Sequence, residues 1–235
     1  MRAFDGDSIC LGALAFFGKI TGSISHEIRG QLAILKEESG LVADLLALAQ
    51  RGRPIDLARI ERLIQQITSR ADAIDEIVTC MNRFSHSVDE EWRAFDVDEV
   101  LALVVRLCQR LAAMKRVTLN LSSSPCCVQI TSNPFQFQRL LFLIIEQAMI
   151  AAGEGGTVSI AAEDQGEWVT FHFDGAFAAD SSMLRGIEDQ VGDLLACLNA
   201  EIVEEKNPAS LRLSLPSGTH IERRPGAEPG DQDQR

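Results

Sequence analysis

One stretch of this sequence sets a nucleophile, an acid and a base side by side: Ser-Ile-Ser-His-Glu-Ile-Arg-Gly-Gln-Leu, residues 23–32. Ile24 and Ile28 recur at helical spacing, and His26 lies two positions from each, about 200° around a helix. With the isoleucines facing a core, the His26 imidazole must point to solvent. Such an imidazole keeps a substantial neutral fraction near neutral pH and can act as a nucleophile. Accepting a phosphoryl group requires an in-line approach at one ring nitrogen and a proton acceptor holding the other. Glu27 is the candidate acceptor, fixing the tautomer as a carboxylate does for other catalytic histidines. Adjacent helix positions diverge, so Glu27 would have to reach sideways. Arg29 supplies weaker electrostatic support for a phosphate, and Lys36 lies on the same helix. The string also reads as an exposed helical histidine with charged neighbours. The other histidines carry less: His86 closes a helix between two serines, His172 alternates within a strand, and His220 lies in a polar tail. "GEGG" at 153–156 is followed by no Lys-Ser or Lys-Thr, so it reads as a tight turn and not a phosphate loop.

The elements that must position His26 are legible as periodicities. On each side of an "RGRP" break at 51–54, apolar residues recur in steps of three and four. Phe17, Ile20, Ile24, Ile28, Leu35, Val42 and Leu45 mark a first helix, weakened by Gly18, Gly22, Gly30 and Gly40. Ile60, Leu63, Ile64, Ile67, Ile74, Ile77, Met81 and Phe84 mark a second. Two helices of roughly 35–45 residues would each span on the order of 50–65 Å. Each seam is wider than one partner helix can cover, so a lone hairpin leaves apolar surface wet. Two hairpins from two chains would bury it in a four-helix bundle, and a homodimer is expected.

Beyond Glu91 the texture changes. "WRAFDV" reads as a strand and Asp98 to Arg116 as an amphipathic helix. "VTLNLS" and "CVQITS" read as strands joined by a Ser/Pro turn. Asn133 followed by Pro134 opens a helix that is apolar nearly all round and therefore buried. "TVSIAAE" and "WVTFHFD" alternate around "DQGE" as a hairpin. Ser181 to Leu198 reads as a helix, and "EIVEE" with "LRLSLP" as a last hairpin. The fold class is thus a long helical hairpin, forming a dimeric four-helix bundle, followed by a two-layer α/β sandwich. The expected boundaries are 1–90 for the hairpin, 91–216 for the α/β domain and 217–235 for a disordered tail rich in Pro, Gly and charge.

Composition narrows the partners. The 235 residues carry 22 Lys plus Arg against 34 Asp plus Glu, a formal net charge of -12, which disfavours nucleic acid. Residues 9–17 form an apolar run too short to span a bilayer, with no basic segment before it, so no membrane insertion is expected. The cysteines at 10, 80, 108, 126, 127 and 197 lack CxxC spacing and read as reduced, mostly buried thiols of a cytoplasmic protein. No metal site is expected.

Ser-His-Glu-Ile-Arg in the first helix of a hairpin, followed by a mixed α/β domain, resembles the phosphoacceptor box of two-component sensor histidine kinases. The order of elements from Trp92 to Pro216 is similar to their ATP-binding domain, the fold shared with gyrase and Hsp90. The resemblance covers residues from about 15 to 216. It implies a dimeric bundle with His26 phosphorylated and Glu27 as its acid/base partner. The family's box continues with Asn or Thr and then Pro; this chain has Gly30 and Gln31. The family's buried helix carries two asparagines four apart, one of them holding magnesium; here those places hold Leu143 and Gln147, with Glu146 nearby. Leu143 cannot coordinate a hard cation. The Asp-x-Gly-x-Gly motif is reduced to Asp174 and Gly175 before Phe177. The last glycine-rich loop keeps only Gly186 and Gly192 and adds Glu188, Asp189 and Asp193, which would repel a triphosphate.

A phosphoacceptor beside a ruined nucleotide pocket points to a bundle-type histidine phosphotransferase, a pseudo-histidine kinase relaying phosphoryl groups between response-regulator aspartates. On this reading there is no cofactor, and a vestigial pocket lies near Leu143, Gln147 and Asp174. Receiver domains are the partners, docking over Ile24, Gly30, Leu32 and Leu35. The alternatives are an ATP-dependent kinase with atypical motifs, and a non-catalytic protein that sequesters a response regulator.

Overall fold

Two long helices open the chain in a computed structural model that describes residues 6–122, 128–175, 191–206 and 209–216. α1 runs Gly6–Gln50 and α2 runs Leu57–Ser85. The turn between them places Gly52 at φ 83, a left-handed backbone that glycine adopts without strain. Asp56 then caps α2, its carboxylate accepting from the Arg59 amide at 3.0 Å. At 29 residues α2 is shorter than the 35–45 expected. It starts only after Pro54 and its cap, and it ends where the Ser87 hydroxyl donates to the Phe84 carbonyl in a 3-10 turn, His86–Val88. The hairpin seam follows the predicted steps: Leu63 and Ile77 of α2 are buried, and Leu35, Val42 and Leu45 of α1 are half-buried. The Arg70 guanidinium donates to the Gln31 side chain across it at 3.3 Å, matching the two helices level by level.

The α/β part begins with β1, Arg93–Asp96, and α3, Val97–Lys115, whose cap Asp96 accepts from the amides of Asp98 and Glu99. Then come β2, Thr118–Leu121; β3, Gln129–Ser132; α4, Pro134–Ala152; β4, Thr157–Asp164; and β5, Trp168–Asp174. A helical stretch over residues 191–198 precedes β6, Glu201–Lys206, and β7, Ala209–Pro216. Five strands form one mixed sheet in the order β2-β4-β5-β7-β6, with β2 parallel to β4 and the other pairs antiparallel.

The two strands expected on either side of the Ser/Pro turn both form, and they do not pair with each other. β3 pairs antiparallel with β1 in a separate two-stranded sheet, and β2 pairs with β4. The reason is connectivity: two parallel strands need a long crossover, and α4 provides it between β2 and β4, leaving β3 free for β1. The Asn133 and Pro134 start of α4 is as predicted, with the Asn133 side chain accepting from the Gln136 amide at 2.9 Å. Although α4 is long and apolar enough to cross a bilayer, it is mostly buried, with Leu140, Leu141, Ile144 and Ile145 fully enclosed. The hairpins β4–β5 and β6–β7 pair as the alternation predicts.

One hydrophobic cluster joins hairpin and sheet: Phe16, Ile20, Ile24, Ile77 and Phe84 lie in the same cluster as Phe135, Leu140 and Phe142. At its centre the Phe84 ring is fully buried, edge-on to Phe16 with centroids 5.4 Å apart and stacked on Phe17 at 5.3 Å. Of the described cysteines, all free, Cys108 is buried, Cys80 and Cys197 are half-buried, and Cys10 is exposed, contrary to the expectation of mostly buried thiols. Cys126 and Cys127, the first half of the helix expected at 181–198, and the tail at 217–235 lie outside the described residues.

Candidate functional site

His26 is exposed on α1, while Ile24, two residues before it, is 4% exposed and Ile28 packs half-buried against the core. The isoleucines are pulled inward by the hairpin and the α3 side of the lobe, and the helix geometry turns the imidazole outward. Arg29 and Lys36 are exposed on the same helix. Gly30, one turn beyond His26, is also exposed, and a Cβ built there would meet nothing within 4 Å. No close approach therefore requires glycine at that position.

Glu27 goes elsewhere. Its Oε1 accepts from both Nη1 and Nη2 of Arg106 on α3, each at 3.3 Å. The side chains are 23% and 34% exposed, so the pair is partly shielded from water. Beside it lies a void of only about 10 Å³ lined by Ser23, Ile24, Glu27, Ile77, Cys80, Arg106 and Leu107. This is a junction of α1, α2 and α3, too tight for anything larger than about one water. The structure thus separates the two residues the sequence set together: one faces solvent and the other faces the lobe.

The expected docking residues are also divided. Ile24 is buried in the core and cannot serve as surface, because it packs where hairpin and lobe meet. Leu35 is half-buried in the hairpin seam, and at about 100° per residue it falls roughly opposite His26. Leu32 is 40% exposed but about 120° around from His26, whereas Gly30 is within about 40° of it.

On the lobe, Leu143 is half-buried against the hydrophobic core, Gln147 is half-buried, and Asp174 is exposed at the end of β5. Glu146 is ion-paired with Lys19 of α1, and the Lys19 ammonium sits 5.3 Å from the Phe142 ring centroid. Among the described residues, these do not fit the magnesium nucleotide that the fold implies: Leu143, at the place where the resemblance puts a metal ligand, is an apolar side chain packed on the core, and the neighbouring Glu146 carboxylate is already paired with lysine. Gly192 and Asp193 are exposed; Phe177, Gly186, Glu188 and Asp189 lie outside the described residues.

Sequence reasoning did not find the ties between lobe and hairpin. Arg139 of α4 is 8% exposed, and its Nη1 donates to the Ile9 carbonyl of α1 at 3.0 Å. Burial pulls this guanidinium down from its ordinary value, and the charge of Asp193 opposes that. A Cβ on Gly12 would lie 1.8 Å from Arg139 Nη2, so the glycine makes room for the guanidinium. A glycine inside a helical pattern is the only local signal of this notch. Arg106, Lys19 and Glu146 carry none, since their pairing depends on how two distant segments pack. Burial also pushes the Cys108 thiol well above its ordinary value, assisted by Glu146, and it stays a packing group.

The order hairpin then α/β lobe is a histidine-kinase-like fold, and its first helix carries a solvent-facing histidine. No family model matches the chain. In sequence it is a homologue of the sensor histidine kinases: it is 21% identical over 156 residues to the sensor histidine kinase ZraS of Escherichia coli strain K12, a match covering 66% of this chain. The match takes in 32% of that relative, so the chain spans about a third of the curated relatives' length. Among solved structures, the catalytic domain of histidine kinase ThkA is similar at TM-score 0.47 and 14% identity, covering 55% of this chain and 98% of that one. The Acinetobacter baumannii histidine kinase AdeS is similar at TM-score 0.44 and 15% identity, covering 82% and 98%. Histidine kinase ThkA in complex with response regulator protein TrrA is similar at TM-score 0.45 and 15% identity, covering 87% and 63%.

Proposed function

We propose that this protein is a histidine phosphotransferase that relays phosphoryl groups between receiver-domain aspartates through His26 and does not use ATP. The observation that carries the reading is the outward-facing imidazole of His26 beside the inward-packed Ile24. In the relay, one ring nitrogen attacks the phosphorus of an aspartyl phosphate in line. The P–N bond forms as the acyl phosphate P–O bond breaks, and the aspartate leaves as a free carboxylate. The reverse step passes the group to a second receiver. Arg29, exposed three residues on, offers positive charge to the transferred group. The receiver brings its own magnesium and docks on the side of α1 that carries His26 and Gly30. A lobe whose Leu143 occupies the place of a metal ligand supports a relay fed by receivers rather than by ATP.

The working unit is a homodimer, and its location is the cytoplasm, where receivers are found. The hairpin leaves apolar side chains exposed at heptad spacing: Ile34, Leu41 and Leu48 along α1, and Leu57, Ile64 and Val78 along α2. Such stripes support a second hairpin packed against the first. Incubation with a phosphorylated receiver tests the reading: the protein gains acid-labile phosphate and His26→Ala gains none. Equal labelling of the variant, or no labelling of the native protein, overturns it.

A further inference from the structure

Three polar ties fasten the lobe along one side of α1. Arg139 holds the Ile9 carbonyl, Glu146 holds Lys19, and Arg106 holds Glu27. The last two have opposite sense, a cation on α1 meeting an anion on α4 and then an anion on α1 meeting a cation on α3. Lys19 and Glu27 are eight residues apart, about 12 Å along a helix. A pair of reciprocal charges at that spacing fixes both the register and the rotation of α1 against the lobe, since sliding or turning would set like charges together.

The Glu27–Arg106 tie is the one beside His26, and it has a chemical consequence. Both guanidinium nitrogens converge on one carboxylate oxygen in a partly shielded junction with almost no free volume. A carboxylate held there points about 100° around the helix from its neighbour's ring. Resting on the phosphoacceptor reading of His26, we propose that Arg106 is a positioning residue: it seats the lobe on the phosphoacceptor helix and takes Glu27 out of proton transfer. His26 then reacts as a bare imidazole, its ring proton passing to water or to a group on the receiver, while Glu27 serves as a structural anchor.

The test uses the full chain with potassium phosphoramidate as a small phosphodonor, and amide hydrogen exchange as a second readout that needs no phosphorylation. Glu27→Gln is expected to slow labelling of His26 by less than about threefold, whereas loss of a proton acceptor would slow it about 100-fold or more. Glu27→Gln and Arg106→Ala are each expected to speed exchange around residues 24–30 about tenfold, as loss of a charge-assisted hydrogen bond predicts. The exchanged pair Glu27→Arg with Arg106→Glu should restore protection. A 100-fold loss of labelling in Glu27→Gln overturns the proposal, and so does exchange that neither single variant alters or that the exchanged pair fails to restore. If His26 takes no phosphate in any variant, the relay reading fails, and the exchange data still decide whether Arg106 seats the lobe.

Discussion

The two ends of α1 live under different physics. From Ile9 to Glu27 the helix is clamped by the lobe: Phe16 and Ile20 are buried, and three polar ties run along one side of it. From Gly30 to Gln50 it packs along α2, and Leu32, Ile34, Leu41, Leu46 and Leu48 stay exposed. The first half is gripped on one side by the lobe, with Leu11 and Leu14 exposed on the rest of it, while the second exposes apolar side chains along its whole length. His26 sits at the boundary, close enough to the lobe for its neighbour to be held and far enough out for its own ring to meet a partner.

The comparison can be broken most forcefully at its aromatic hub. Phe84→Ala should cost about 3–5 kcal/mol, because it empties a fully buried site ringed by Phe16, Phe17 and Phe135. Urea unfolding monitored by far-UV signal would show it as a lower midpoint. In the distal half, Ile64→Glu should leave the fold intact, since that residue is 51% exposed. It should weaken self-association by about 100-fold, as expected for a charge forced into an apolar seam. Sedimentation equilibrium reads that out, and an unchanged association constant would remove this stripe from the proposed dimer.

A single substitution type distinguishes the two halves most finely. Gly12→Ala should destabilise by about 1 kcal/mol, because displacing the Arg139 guanidinium from the Ile9 carbonyl costs more than the alanine returns in helix propensity. Gly30→Ala should stabilise by about 0.5–1 kcal/mol, since its Cβ enters open space on an exposed helix face. Opposite signs for one chemical change in one helix would confirm that the clamp ends before residue 30. Equal signs would mean that the lobe does not grip α1 at Gly12.

What the sequence made legible was whatever repeats locally. The seam from Ile60 to Phe84, the Asn133-Pro134 helix start and the two alternating hairpins all follow from spacing and caps. The outward turn of His26 followed from Ile24 and Ile28 in the same way. The strands β2 and β3 were legible, but their partners were not, because the choice of partner depends on where α4 crosses. The inward burial of Ile24 and the turn of Glu27 toward Arg106 were not legible for a related reason: nothing within ten residues of His26 announces that Arg106 of α3 arrives there. Periodicity gives the direction of a side chain but not the identity of what meets it.

The central claim, that an exposed His26 receives phosphate from a receiver and the lobe no longer supplies it from ATP, is tested most directly by peptide mass spectrometry under alkaline conditions. The protein is incubated with a phosphorylated receiver in one sample and with magnesium and ATP in another. The account predicts a single phosphoryl group on the peptide containing His26 in the first sample and none in the second. Phosphate on that peptide from ATP alone, or on no residue from the receiver, would contradict it.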